Sequence, residues 1–237
     1  MTGFKYDAEI VERFPSIVGG VIHALGLRNA SSPEALVRAF ASEQATVRAR
    51  IGETPLSELA TLAAWRRAFR AFGVDPTAYR SAAEALLRRL AKQGSIPAIN
   101  SLVDVGNLVS IRYGLPVAVF DLRQATGTIT VQVATGKELF TDLGSGNVEQ
   151  PEPGEVIFVD EAGLVFARRW CWRQSAESAS RESTTDVLVT VEGHHEDAAI
   201  DIPRAVADLQ ALLGAHVGPA EMTSGLVSVS APVFAAP

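Results

Sequence analysis

The stretch over residues 96–122, IPAINSLVDVGNLVSIRYGLPVAVFDL, leaves the chain few ways to fold around it. Its polar residues fall where a helix needs them. Asn100 and Ser101 are cap residues, and Asp104 follows Ser101 by three positions in a capping-box-like pair that suits the positive end of a helix. Gly114 stops the helix and Pro116 prevents its resumption, so residues 116–122 continue as a strand. Inside the helix Asn107 stands among Val105, Leu108, Val109 and Ile111. An amide there is costly to bury without hydrogen bonds, so it either ties down a neighbouring backbone or holds a ligand.

Elements of two kinds flank this core. Residues 16–27 (SIVGGVIHALGL) predict a buried strand in which Gly19 and Gly20 mark a close approach and His23 is a core residue. A helix starts at Ser31, Ser32 and Pro33, with Leu36, Phe40, Val47 and Ile51 on one face. A second follows Pro55, with Leu62, Trp65 and Phe69 inward, and a third is announced by the capping box from Ser81 to Glu84. Past the central helix the pattern turns to strands: residues 116–122, 128–133, 155–159, 164–172 and 186–192. A last helix is expected from about Pro203 to Gly214, and residues 219–237, small and proline-containing, read as a disordered tail. The expected fold is α+β, a layered, mostly antiparallel sheet packed on the central helix with additional N-terminal helices, forming a single domain over residues 1–218.

Charge narrows the function classes. The 21 basic against 27 acidic residues, a formal net charge of -6, argue against indiscriminate binding of nucleic acid such as DNA. Yet between Arg66 and Lys92 seven basic residues face two acidic ones. That window is either an RNA-facing patch or a solvated helix face. A single cysteine excludes an internal disulfide and fits a reducing cytoplasm. The sequence shows no signal-peptide order and no apolar run of membrane-spanning length, so no membrane partner is expected.

Several motifs invite a chemical reading. Gly144-Ser145-Gly146 lacks both the dinucleotide and the P-loop pattern. His194-His195-Glu196-Asp197 has no matching ligand cluster elsewhere, which leaves an exposed turn and no metal or other cofactor. In Arg168-Arg169-Trp170-Cys171-Trp172-Arg173, strand alternation would put Trp170 and Trp172 on one face and Arg169, Cys171 and Arg173 on the other. Such a segment stacks an adenine and grips phosphate, or closes a core edge. Cys171, with no histidine placed beside it, reads as a packing residue.

Taken together, Asn100, Val103, Asp104, Asn107, Gly114, Pro116 and the Phe120-Asp121-Leu122 strand resemble the tRNA-editing domain of the bacterial phenylalanyl-tRNA synthetase beta subunit. The segments 81–89, 154–156, 168–173 and 191–193 occur in the order seen in free-standing relatives of that domain. The resemblance implies an aminoacyl-tRNA deacylase without a synthetase core, acting on mischarged tRNA and needing no cofactor. It assigns catalysis to Asn107 and Glu192 and places Ala118 where the family has a histidine. Arg169, Trp170, Trp172 and Arg173 are then substrate-binding, and Asp104, Asp121 and Glu192 would supply carboxylates to a cationic amino acid such as the arginine analogue canavanine. The alternative is a non-catalytic binder of tRNA or of an amino acid that kept the pocket.

Overall fold

The computed structural model describes residues 3–218 and 221–236. In chain order it contains β1 (Gly3–Tyr6), α1 (Ala8–Arg13), β2 (Val18–Leu25), α2 (Glu34–Ile51), a short 3-10 turn (Leu56–Glu58), α3 (Ala60–Ala71), α4 (Ala82–Gln93) and α5 (Ser101–Tyr113). Strands follow: β3 (Val117–Asp121), β4 (Ile129–Val133), β5 (Phe140–Thr141), β6 (Val148–Glu149), β7 (Val156–Val159), β8 (Val165–Arg168), β9 (Arg173–Gln174) and β10 (Val187–Gly193). The chain closes with α6 (Ala198–His216), β11 (Glu221–Ser228) and β12 (Val233–Ala235). No described helix is long and apolar enough to cross a membrane.

The fold is α+β, as the pattern of elements predicts, with two main sheets in place of one. A four-stranded antiparallel sheet runs β11-β2-β10-β3, and a six-stranded sheet runs β12-β1-β4-β7-β8-β9 with a single parallel pair, β1 and β4. Strand β10 shows why two are needed, because both of its faces are buried. Val187, Val189 and Val191 point into a core shared with α2, α4, α5 and α6, while Leu188 joins Phe120, Phe158 and Phe166 in a second core toward the six-stranded sheet. A strand buried on both sides needs a layer on each.

Helix α5 forms as its sequence dictates. Asn100 caps it by accepting from the Val103 amide at 3.0 Å, and Gly114 ends it in the left-handed conformation. The buried amide that ties down backbone here is Gln44 on α2, which donates to the Ile96 carbonyl at 3.2 Å and accepts from the Ile96 amide at 2.7 Å.

Several sequence expectations are corrected. The segment 164–172 is not one strand. After Arg168 the backbone enters the left-handed region at Arg169 (φ 44°) and Trp170 (φ 59°), costly for non-glycine residues, so Trp170 and Trp172 do not share a face. Trp170 is fully buried between the sheets and Trp172 stays near the surface. Helix α6 starts at Ala198, carries Pro203 inside it and passes through Gly214 to His216. The expected disordered tail is strand where it is described: β11 pairs with β2 along its full length and β12 with β1, the hydrogen bonds of two open sheet edges outweighing a weakly apolar composition. Pro219, Ala220 and Pro237 lie outside the described residues.

Gly20 carries the tightest contact between β2 and α6. A Cβ there would lie 2.2 Å from Val206 Cγ2 and 3.1 Å from Ile202 Cγ2. Gly20→Ala is therefore expected to destabilise the fold by about 1–3 kcal/mol through overpacking, read from the midpoint of denaturant unfolding. An unchanged midpoint would show that α6 yields at no cost.

Candidate functional site

Strand alternation decides what lies between the sheets. On β10, Thr190 stands opposite Ala118 and Leu188 opposite Phe120 of β3, and Glu192 shares their face. Ala118, Phe120, Thr190 and Glu192, with Trp170, Cys171, Trp172, Arg173 and Gln174, line a narrow cleft of about 70 Å³.

Glu192 is the chemically unusual group in that cleft. Its side chain is almost wholly buried, yet both of its hydrogen-bond donors are neutral: the Tyr6 hydroxyl donates at 2.8 Å and the Trp170 indole N–H at 3.2 Å. Burial disfavours the carboxylate and outweighs the two donors, pushing its pKa up from 4.5 to about 7. The carboxyl is poised to accept or release a proton at neutral pH. Trp65 fixes the same residue from behind, donating its indole N–H to the Glu192 carbonyl at 3.3 Å.

Cys171 shares the cleft, and burial together with the nearby Glu192 pushes its thiol well above the ordinary range. It is a poor nucleophile in this setting.

At the mouth lies a stack of cations on rings. The Arg169 guanidinium sits 3.9 Å from the Tyr79 ring centre and 4.7 Å from that of Trp172, and Arg173 covers Trp172 at 4.6 Å. Both arginines also have internal carboxylate partners, Arg169 with Glu155 at 3.1 Å and Arg173 with Asp142 at 2.5 Å. The Gly144-Ser145-Gly146 loop is similarly occupied, because the Gly144 and Ser145 amides donate to Asp142. In the basic window Arg66 and Arg88 both pair with buried Glu84, leaving Arg67, Arg70, Arg89 and Lys92 exposed on α3 and α4.

Asn107 is not the buried amide its neighbours suggest. It is half-buried, and among the described residues its side chain makes no hydrogen bond. It lines a neighbouring cleft of about 280 Å³ with Val103, Gly106, Val119, Leu143 and Ser180. Val117 and Gln174 border both clefts. The two assigned catalytic residues therefore stand on opposite faces of the edge strand β3, with their clefts meeting at its rim.

Asp104 and Asp121 belong to neither cleft, which corrects their assignment to a cationic substrate. Asp104 accepts from the Ser32 hydroxyl at 2.5 Å and the Ile99 amide at 2.9 Å, holding the entry of α5. Asp121 is buried against Arg123 and Thr184. Each carboxylate is consumed by the fold around it.

The exposed turn expected at His194-His195 is also corrected, since both rings are buried. His194 packs edge-on against Trp65 (4.6 Å between centres) and Trp170 (5.1 Å), where burial holds it neutral by pushing its pKa down to about 3. No local sequence pattern marks Thr190 or Gln174 as cleft residues, or Tyr6 and Trp65 as the side chains that hold Glu192. Gly19 was the available hint, because a close approach flagged there implies a side chain crossing from another element.

Comparison with known proteins brings in relatives. The model of the B3/4 domain matches residues 64–206. Phenylalanine--tRNA ligase beta subunits of Shewanella oneidensis and Acinetobacter baylyi are each 30% identical to the chain, over 125 and 134 residues, or 53% and 56% of it. The chain spans only 14% and 16% of the length of those two subunits. A crystal structure of an N-terminal fragment of the phenylalanyl-tRNA synthetase beta subunit from Pyrococcus horikoshii aligns with 93% of the chain and 50% of that fragment, at 12% identity and a TM-score of 0.48.

Proposed function

The chain belongs to the B3/4 domain family, and from that membership we propose that it hydrolyses the ester of mischarged aminoacyl-tRNA, acting in trans. The observation that carries the reading is Glu192, a buried carboxyl whose pKa stands near neutrality at the inner wall of the cleft. The ionised carboxylate takes a proton from a water as its oxygen attacks the ester carbonyl. The tetrahedral oxyanion then collapses, expelling the ribose oxygen, which receives a proton in turn. Thr190 and Gln174, whose amide nitrogen donates to the Val119 and Ser178 carbonyls, stand beside this wall, while the Arg173 guanidinium stacked on Trp172 at the mouth offers a planar face to the terminal adenine.

A cationic substrate such as an arginine analogue remains within this reading on narrower grounds, because of the three carboxylates assigned to it only Glu192 faces the cleft. There Glu192 would pair with the side chain rather than with water. Ala118, a methyl at the position of the family's histidine, favours the second reading of a binder without turnover.

A panel of mischarged tRNAs, canavanyl-tRNA included, incubated with catalytic amounts of protein separates the three. Repeated cleavage of esters with neutral side chains, at a rate that rises with pH through about 7, is expected if Glu192 is the base. Cleavage confined to the cationic ester assigns Glu192 to recognition. Tight binding with no ester cleaved leaves the binder.

A further inference from the structure

Glu192 is held from a part of the chain that the family match does not cover. The B3/4 match begins at residue 64, whereas the shortest hydrogen bond to the carboxyl comes from Tyr6, the last residue of β1. That bond crosses from the six-stranded sheet to the four-stranded one. It exists because Gly19 on β2 lies under the phenol: a Cβ at Gly19 would fall 2.3 Å from the Tyr6 hydroxyl and 3.3 Å from Cζ. Burial and the adjacent Glu192 push the Tyr6 pKa well above its ordinary value of 10.0, so the hydroxyl keeps its proton and remains a donor.

We propose that Tyr6, seated over Gly19, is a positioning residue for Glu192, so that the N-terminal strand completes the catalytic cleft. The proposal rests on the hydrolase reading for its functional meaning, although the hold of Tyr6 on Glu192 can be measured without any substrate. Tyr6 stabilises the carboxylate form by donating to Oε1 and fixes the oxygen pair relative to the cleft. Trp170 donates to the same carboxyl, and its indole emission reports the ionisation.

The test is a pH titration of intrinsic tryptophan fluorescence on wild type, Tyr6→Phe, Gly19→Ala, the Tyr6→Phe/Gly19→Ala double variant and Glu192→Gln. The wild-type protein should show a transition near pH 7, and Glu192→Gln should lack it. Tyr6→Phe removes one donor from the ionised form and should move the midpoint upward by roughly one pH unit. Gly19→Ala displaces the hydroxyl and should move it the same way, and its effect on the midpoint should largely vanish in the Tyr6→Phe background. The pH profile of ester cleavage should shift by the same amount. A midpoint unmoved in both single variants, with wild-type circular dichroism, overturns the proposal. If the midpoints move while no protein in the set cleaves any mischarged tRNA, the hold on Glu192 stands and the hydrolase reading fails.

Discussion

Glu192→Gln is expected to lower the deacylation rate by roughly two to four orders of magnitude and, at pH 8, to make the protein more stable. The two effects have one origin. A carboxyl that titrates at about 7 when folded and at its ordinary 4.5 when unfolded binds its proton more tightly in the native state. Its contribution is fully present below pH 4.5 and is lost as the pH rises through 7. Above that the native state carries a buried carboxylate at a penalty on the order of 3 kcal/mol. Glutamine presents an acceptor to Tyr6 and Trp170 without the charge. Its melting temperature should exceed that of wild type at pH 8 by roughly 5–10 °C and converge with it near pH 4. His194, held neutral by burial, has the opposite dependence: it removes stability as the pH falls below 6.5. That contribution is common to both proteins and cancels in the comparison. Parallel melting curves across the pH range would remove Glu192 as a neutral-range acid or base.

Asn107→Ala is expected to slow deacylation by about two to three orders of magnitude, the scale for loss of one oriented polar group in a hydrolytic site. Stability should change by less than about 1 kcal/mol, because no protein group loses a hydrogen-bond partner. The amide faces a cleft that meets the Glu192 cleft around the rim of β3, at Val117 and Gln174. Single-turnover cleavage and thermal unfolding on the same preparation decide the matter. Unchanged cleavage by Asn107→Ala would confine the chemistry to the Glu192 side of β3.

What the sequence made legible follows from where local and tertiary forces agree. Helix α5 and strand β10 carry their own caps, stops and β-branched runs, so their existence and place were readable. The corrected features are those set by distant partners. Arg169 and Trp170 adopt left-handed conformations because Glu155, Tyr79 and the inter-sheet core hold their side chains, none of which the local pattern encodes. Residues 221–228, read as part of a small-residue, proline-containing disordered tail, are ordered by the open edge of β2. Asp104 and Asp121 were plausible ligand carboxylates by type. Only the positions of Ser32, the Ile99 amide, Arg123 and Thr184 reveal that they are already satisfied. Glu192 was reached through resemblance, and strand alternation accounts for its facing the cleft while Val191 faces the helices.

The pairing of β2 has a consequence for how the chain is made. Its two neighbours, β10 and β11, are the strands around residues 187–193 and 221–228, so at translation speeds of about 5–20 residues per second β2 waits roughly ten to forty seconds for its partners. Throughout that time an uncharged, largely apolar segment with two open edges is exposed on the nascent chain, the kind of segment that recruits other strands. Gly19 and Gly20, required for Tyr6 and α6 in the finished fold, also weaken its intrinsic strand preference during the wait. Fragments ending before β10 should consequently aggregate, and refolding of the intact chain should be slow and concentration-sensitive, with its rate set by the joining of β2 to strands distant from it in sequence.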